Sequence, residues 1–245
     1  MKAYVKGFFL GFAALFCFSF VVMMADYQGY FNLKSFDYSI LPNKRMQGAA
    51  IFDLYKASSS QAFQGLRGKS LLGISVAGIR DSLMQEEWVE AVHIRRVFPK
   101  SLKIEVVPKE WWAYFEKDSQ FYPLTKSGDL LGRVPVLQGP DLPLIRLSEK
   151  DFHLYKHIIM QVLKRLPEEA LFSFRYLQEI GRDREGLYFV IQPDHMKVRV
   201  GTENLDLRMA RVEKVLHYLK DHDLQGRVIN ADFTQKVVVK LRKAR

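Results

Sequence analysis

The stretch from Trp88 to Glu110 constrains the fold more than any other, because apolar and polar residues alternate along it twice. A period of two residues is typical of strands that bury one face. The corner Phe98–Ser101 separates the two runs, and Pro99 fixes a φ angle suited to a turn there. The stretch therefore predicts two strands joined by a tight corner. Their inward-facing residues are Val92, Ile94, Leu102, Ile104 and Val106.

Three further elements precede these strands. Leu33–Leu41 alternates in the manner of a strand, and Pro42 with Asn43 ends it. Ala49–Phe63 has a helical pattern that three serines interrupt. Ser75–Gln85 has apolar residues at helical spacing, with Ser75 as the N-cap. The predicted order is strand, helix, helix, strand, strand.

The segment Phe8–Ala25 is apolar apart from Ser19 and carries no charge. As a helix it would be roughly 27 Å long, close to the hydrocarbon thickness of a bilayer. Lys2 and Lys6 precede it and Asp26 follows it, which predicts a cytoplasmic N-terminus and export of the rest. A cleaved signal peptide is the alternative, but the run is long and ends in bulky residues.

The chain carries a formal net charge of +10, which is compatible with nucleic acid, an anionic membrane or an acidic protein as partner. Export removes the chain from cytoplasmic nucleic acid, so acidic proteins and anionic lipid are favoured. The single cysteine, Cys17, lies inside the apolar run, which excludes a disulfide framework in the exported part.

The second half of the chain predicts a mixed α/β region over residues 109–245. Two amphipathic helices, Asp151–Leu166 and Leu205–Leu219, lie among short strands. The predicted strands are Phe121–Leu124, Leu130–Leu131, Leu144–Leu147, Arg175–Ile180, Leu187–Gln192, Met196–Val200, Arg227–Phe233 and Lys236–Leu241.

No catalytic constellation is evident. His153 and His157 are four residues apart on a predicted helix, but no third metal ligand accompanies them. Glu86 and Glu87 are interpreted as a solvated helix end rather than paired catalytic carboxylates. Gly65–Lys69 lacks the spacing of a phosphate-binding loop. We therefore expect a protein that is not an enzyme and that uses no cofactor, metal or small-molecule substrate.

The order of elements around Trp88 resembles the second half of a POTRA domain, and more narrowly that of the bacterial cell-division family FtsQ/DivIB. The resemblance is carried by Trp88-Val89, the corner Arg95-Arg96 with Pro99, and the exit Val107–Glu110. It implies a three-stranded sheet with two helices on one face. It also implies that Trp111–Phe115 is an aromatic hinge to a second module, the β-domain. The signature residues are Trp88, Val89, Arg95, Arg96 and Pro99.

The implied fold class is α+β: one transmembrane helix, a β-α-α-β-β POTRA domain, and a mixed α/β β-domain with a C-terminal edge strand. At the C-terminus, Asn230 replaces the acid usual in the family, and Asp232 stands where a basic residue is common. The predicted segments are a short cytoplasmic tail at 1–7, the transmembrane helix at 8–25, a linker at 26–31, the POTRA domain at 32–108 and the β-domain at 109–245.

The resemblance implies a scaffold of the divisome in the cell inner membrane at the division septum, with its bulk in the periplasm. Its partners would be FtsB-like and FtsL-like division proteins, which add a strand to the last strand of the β-domain. The basic C-terminal residues Arg242, Lys243 and Arg245 would suit an acidic partner. The implied contact residues are Phe233, Gln235, Lys236, Val237 and Val239.

Blander interpretations remain open. Trp88 is better explained as a core aromatic between helix and sheet, and the last strand can also be a core strand or an edge protected by charge. A POTRA-containing protein of outer-membrane assembly or secretion is the main rival, although no run of barrel strands follows. A membrane-anchored periplasmic enzyme is the third alternative.

Overall fold

A computed structural model describes the backbone of residues 2–242, and all side chains in that range except those of residues 2–10, 12, 61, 62 and 136. Lys243 and Arg245, which are expected to suit an acidic partner, lie outside the described residues. The described chain forms two compact units. Of the described residues, those up to 42 and those from 52 to 108 make up the first, and residues 43–51 and those from 109 onward make up the second.

The first unit contains a three-stranded sheet. The strands lie in the order β1-β3-β2, with β1 parallel and β2 antiparallel to the central β3. Its strand-helix-helix-strand-strand order confirms the POTRA-like arrangement. The elements are α1 (Lys2–Tyr27), β1 (Ser35–Ile40), α2 (Ala50–Gln64), α3 (Val76–Met84), β2 (Val89–Val97) and β3 (Ser101–Pro108).

The alternation in β3 explains why that strand is central. Leu102, Ile104 and Val106 are completely buried, whereas the residues between them are partly exposed. Helix α3 begins as predicted, because the Ser75 hydroxyl accepts a hydrogen bond from the Gly78 N–H at 3.1 Å. One buried face on the sheet and a capped helix therefore follow directly from the sequence pattern.

Helix α1 contains the apolar run. Within the described residues, no helix satisfies the length and hydropathy that a membrane-crossing helix requires.

The second unit is built on an eight-stranded mixed sheet. Its strands lie in the order β11-β10-β9-β8-β7-β6-β4-β5. The elements are β4 (Trp111–Lys117), β5 (Gln120–Thr125), β6 (Leu144–Arg146), α4 (Glu149–Arg165), β7 (Leu177–Asp183), β8 (Gly186–Ile191), β9 (Met196–Arg199), α5 (Leu205–Asp221), β10 (Gly226–Asn230) and β11 (Val238–Leu241).

The two faces of this sheet differ in chemistry. One face contributes Phe189, Val198 and Ile229 to a core that includes the apolar sides of α4 and α5. The other face carries charged side chains that pair across strands, with Arg146 contacting both Glu116 and Glu179 at 3.0 Å. The helices are therefore on one side only, which confirms a mixed α/β sheet domain.

Three details differ from the predictions for this unit. The predicted aromatic hinge Trp111–Phe115 is part of strand β4, and all five of its residues are buried. Leu130–Leu131 is not a strand, and Leu130 forms only one isolated bridge. The Asp129 N–H donates to the Thr125 hydroxyl at 3.0 Å, and this hydrogen bond closes a tight turn just before Leu130. The last two strands are shorter than predicted, as the next subsection describes.

Candidate partner-binding edge

Strand β11 is the terminal strand at one end of the eight-stranded sheet. It pairs antiparallel with β10, Val239 opposite Ile229 and Val238 opposite Asn230. The Arg242 N–H donates to the Gln225 carbonyl at 2.8 Å, so alternate residues from 238 to 242 direct their backbone groups toward β10. The backbone groups of Val239 and Leu241 consequently point to the open side of the sheet. An open edge of this kind is a template for an added strand.

An apolar groove of about 430 Å³ lies beside this edge. It is formed by the face of α5 and by Val239 and Leu241 of β11. Tyr218 and Leu241 are each about half exposed there, at 56% and 49%. The edge therefore offers apolar surface next to its free backbone groups. The other lining residues are Lys214, Val215, Leu219 and Leu224.

Only one of the five predicted contact residues lies on the edge strand. Val239 is in β11, but the strand begins at Val238 rather than at Lys236. Phe233, Gln235, Lys236 and Val237 lie in the connection that precedes it. The connection begins after Asn230 because the Asn230 side chain accepts the Asp232 N–H at 3.0 Å and turns the chain away from β10. The predicted strand extents Arg227–Phe233 and Lys236–Leu241 were therefore wrong.

The connection nevertheless lies against the rest of the unit. Val237 packs partly buried on the core, and the Lys236 ammonium is 5.5 Å from the centre of the Phe233 ring, which is 42% exposed. Gln235 and Lys236 are exposed. These four residues border the edge strand without being part of it.

Three residues that the sequence analysis did not select hold this connection in place. Arg208 of α5 is buried; its guanidinium donates to the Asp232 carboxylate at 2.5 Å and to the Val200 carbonyl at 3.1 Å. Arg211 donates to the Thr234 carbonyl at 2.8 Å. Gly201 has a φ of +64°, and a Cβ there would collide with both charged groups of the Arg208–Asp232 pair. We call Gly201, Arg208 and Asp232 the arginine latch. The unusual acid at position 232 was its one signal in the sequence.

The POTRA signature residues have separate positions in the first unit. Trp88 is buried and stacks on the Tyr55 ring with centroids 4.6 Å apart, and Val89 is buried beside it. Arg96 donates to the carbonyls of Leu71 and Ile74 at 2.8 and 2.7 Å, which fixes the loop before α3. Arg95 and Pro99 are exposed. The structure thus gives Trp88, Val89 and Arg96 packing or loop-fixing contacts.

Electrostatics around Trp88 are compatible with a packed interior. Burial, and then the negative charges of Glu86 and Glu87, raise the pKa of the Tyr55 hydroxyl above its usual value. Tyr55 therefore remains neutral at physiological pH and stacks as a neutral ring.

The described residues contain no group of three or more His, Cys, Asp or Glu side chains placed to hold a metal ion. His153 and His157 are exposed on α4. The β11 edge, with its backbone groups and the groove beside it, offers a surface that can bind a strand.

Comparison with known families agrees with both units. A family model described as "POTRA domain, FtsQ-type" matches residues 54–107. A second, "Cell division protein FtsQ/DivIB, C-terminal", matches residues 113–237, about half of the chain. This pair of matches favours the cell-division resemblance over the transport alternative.

Relatives with curated names are distant. The cell division protein FtsQ of Syntrophotalea carbinolica is 21% identical over 71% of this chain, and that of Geotalea daltonii is 23% identical over 71%. The cell division protein DivIB of Solibacillus silvestris is 27% identical over 40% of the chain. The matches span 64%, 66% and 34% of those relatives' own lengths.

A solved structure of the major extracytoplasmic domain of the cell division protein DivIB from Geobacillus stearothermophilus is 18% identical, with a TM-score of 0.32. That match covers 46% of this chain and 95% of the solved one, and the fold described above does not depend on it.

A β-α-α-β-β unit combined with a mixed-sheet unit that ends in an open edge strand defines a POTRA-containing protein with a C-terminal sheet domain. The chain belongs to the FtsQ/DivIB family of bacterial cell division proteins.

Proposed function

We propose that the chain is a non-enzymatic scaffold of the divisome that binds FtsB-like and FtsL-like proteins and helps recruit and regulate septal peptidoglycan synthesis. The observation that carries the proposal is the open β11 edge beside an apolar groove, in a chain of a cell-division family. An incoming strand would hydrogen-bond to the backbone of Val239 and Leu241, while its apolar side chains would enter the groove.

Charge complementarity supports an acidic partner. Lys240 and Arg242 lie on and after the edge strand, and Lys214 and Lys236 border it. A partner strand that carries Asp or Glu beside apolar residues would therefore be steered to this edge. We retain Phe233, Gln235, Lys236 and Val237 as proposed flanking contacts, with Val239 as the central one.

The proposal includes a membrane anchor. Phe8–Ala25 supplies an apolar run with a single polar residue, and lysines precede it. We propose that it crosses the inner membrane with the N-terminus in the cytoplasm and both folded units in the periplasm, at the septum. The proposed divisions are those at 1–7, 8–25, 26–31, 32–108 and 109–245.

Strand addition is tested by capture of the FtsB-like protein of the same organism on full-length chain in detergent. Val239→Pro removes a backbone donor that faces the open edge, and leaves the pairing with β10 in place. Val239→Thr keeps that donor and most of the side-chain shape, so it is the matched control. We expect capture by the natural chain and by Val239→Thr, and at least a tenfold weaker capture by Val239→Pro. A loss of about 1.4 kcal/mol of binding free energy corresponds to a tenfold weaker affinity.

Equal capture by all three chains, each shown to be folded by circular dichroism, would place the interface elsewhere. A matching loss on Gln235→Pro would extend the interface into the connection before β11. Failure of the natural chain to capture the partner would contradict the proposed function itself.

A further inference from the structure

The corner between β2 and β3 lies beside the end of helix α1. The rings of Phe31 and Phe98 meet edge to face with centroids 6.0 Å apart, and the Lys100 ammonium is 5.2 Å from the centre of the Tyr30 ring. The Ser70 hydroxyl donates to the Asp26 carboxylate near the last turn of the helix. The corner and the helix end therefore form one continuous surface within the first unit.

Backbone hydrogen bonds fix this arrangement. The N–H of Leu71 donates to the Phe31 carbonyl at 2.8 Å, and that of Lys34 donates to the Lys100 carbonyl at 2.8 Å. The Tyr30 N–H donates to the Ala25 carbonyl at 2.9 Å, which ties the segment to the helix itself. The corner is thus attached to the helix end by a bonded segment rather than by a free chain.

The surface at this place is apolar and aromatic, although it is exposed. Tyr27 is 90% exposed, Phe98 56% and Tyr30 54%. Val97 and Leu72 are exposed at 44% and 41%. We call these five residues the corner patch. Large apolar side chains left in solvent together indicate a surface that is covered in the working protein.

Basic side chains surround the corner patch. The Lys34 N–H donates to the Lys100 carbonyl, and the Lys69 carbonyl accepts from the Leu33 N–H. The Arg96 guanidinium donates to the carbonyl of Leu71, next to Leu72, and the Lys100 ammonium lies over the Tyr30 ring. The Asp26 carboxylate at the helix end accepts a hydrogen bond from the Ser70 hydroxyl. Tyrosine and phenylalanine next to lysine and arginine are the composition of a membrane–water interface, and basic groups are attracted to anionic lipid.

The short distance between the apolar run and the corner patch also supports a bilayer as the partner. The apolar run ends at Ala25, and Tyr27 lies only about 3 Å further along the helix axis. The headgroup layer on each side of a bilayer is roughly 5–7 Å deep. Residues tied to the last turn of a spanning helix must therefore lie in or at that layer.

We propose that the corner patch docks in the headgroup layer of an anionic bilayer and holds the three-stranded unit against the membrane surface. The inference rests on the proposed membrane anchor. Tyr27, Tyr30 and Phe98 enter the interfacial region, and the surrounding lysines and Arg96 contact lipid phosphates.

The experiment uses the full-length chain, with Cys17→Ser, in vesicles of phosphatidylcholine with or without one quarter phosphatidylglycerol. A single cysteine replaces Val97 at the corner, or Glu90 at the other end of β2 as the matched control, and carries an environment-sensitive fluorophore. Both positions belong to the same strand, and they are about 23 Å apart at roughly 3.3 Å per residue. Quenching by nitroxide lipids labelled at the headgroup measures contact with the bilayer.

We expect strong headgroup quenching at position 97, little at position 90, and stronger quenching with phosphatidylglycerol present. Lys100→Glu should weaken docking in anionic vesicles by about fivefold or more, since one basic residue near an anionic surface contributes this order of affinity. Co-flotation with vesicles after carbonate extraction reports on the anchor separately.

Three results would overturn the proposal. Equal, weak quenching at positions 97 and 90 in chains that co-float would exclude docking while the anchor stands. A fluorophore at position 97 that is shielded from quenching, and that loses this shielding when the protein is diluted in lipid, would show that a second copy of the chain covers the corner patch. Loss of co-flotation would refute the anchor, and the docking with it.

Discussion

Substitution of Gly201 by alanine tests whether the arginine latch holds the connection before β11. A φ of +64° costs an L-residue about 1 kcal/mol. The new Cβ would also displace the Arg208–Asp232 pair. A hydrogen bond between charged groups contributes about 1.5–3 kcal/mol, and we take about 1–2 kcal/mol here because the Asp232 carboxylate is partly screened by water. The expected loss in the free energy of unfolding is therefore about 2–3 kcal/mol.

Gly48→Ala provides the matched control. Gly48 has a φ of +76°, and a Cβ there would meet no atom within 4 Å. It should therefore cost only the backbone strain, about 1 kcal/mol. In a background with both Arg208→Ala and Asp232→Ala, where neither colliding group is present, Gly201→Ala should likewise cost only about 1 kcal/mol more.

The assay is urea unfolding followed by tryptophan fluorescence, with Trp88→Phe so that Trp111 and Trp112 report on the second unit. The same variants are then tested for capture of the FtsB-like protein, which should weaken with Gly201→Ala and not with Gly48→Ala. Equal unfolding free energies for Gly201→Ala and Gly48→Ala would refute the latch as a source of stability.

Three other changes test the packing. Glu213→Ala should lower the free energy of unfolding of the second unit by about 1–3 kcal/mol, measured in urea, because both carboxylate oxygens accept backbone N–H groups at 2.9 and 2.7 Å. Glu213→Gln should lower that free energy by less. Partial burial alone would raise the pKa of Asp183, but the hydrogen bond from Arg199 lowers it on balance. This stabilisation is complete above about pH 4 and is lost as pH falls through the lowered pKa, so Asp183→Asn should flatten the acid limb of a stability–pH curve. Trp88→Ala should cost about 3–5 kcal/mol by the loss of its stack on Tyr55, and Trp88→Phe less than about 2 kcal/mol; equal losses would exclude the stacked geometry.

The sequence predicted those parts of the fold in which burial alternates regularly. In β3, every second residue is buried, and Ser75 caps α3, so the period and the cap were both visible. Trp88 was recognised as a core aromatic from its position in the sequence, because a tryptophan between a helix and a strand usually packs between the two. Local pattern and tertiary packing agree at these positions.

The site was harder to predict because it depends on contacts between distant segments. Lys236–Leu241 alternates well enough to predict six residues of strand, yet a side-chain turn at Asn230 and the Arg208–Asp232 pair hold the first two outside the sheet. The Arg208–Asp232 pair joins residues 24 positions apart and leaves no periodic signal in the sequence. The family resemblance implied that Trp111–Phe115 is a hinge, but these five consecutive residues are all buried in β4, because both faces of the strand are covered there.

Photo-crosslinking in dividing cells tests the central claim most directly. A photoreactive phenylalanine analogue is placed at Val238 on the β11 edge, or at Gln120 on β5 at the opposite end of the same sheet, both of which are exposed. The account predicts a crosslink to the FtsB-like protein from position 238 and none from position 120. A crosslink from position 120 alone, or no crosslink from position 238 in cells whose division depends on the variant, would contradict it.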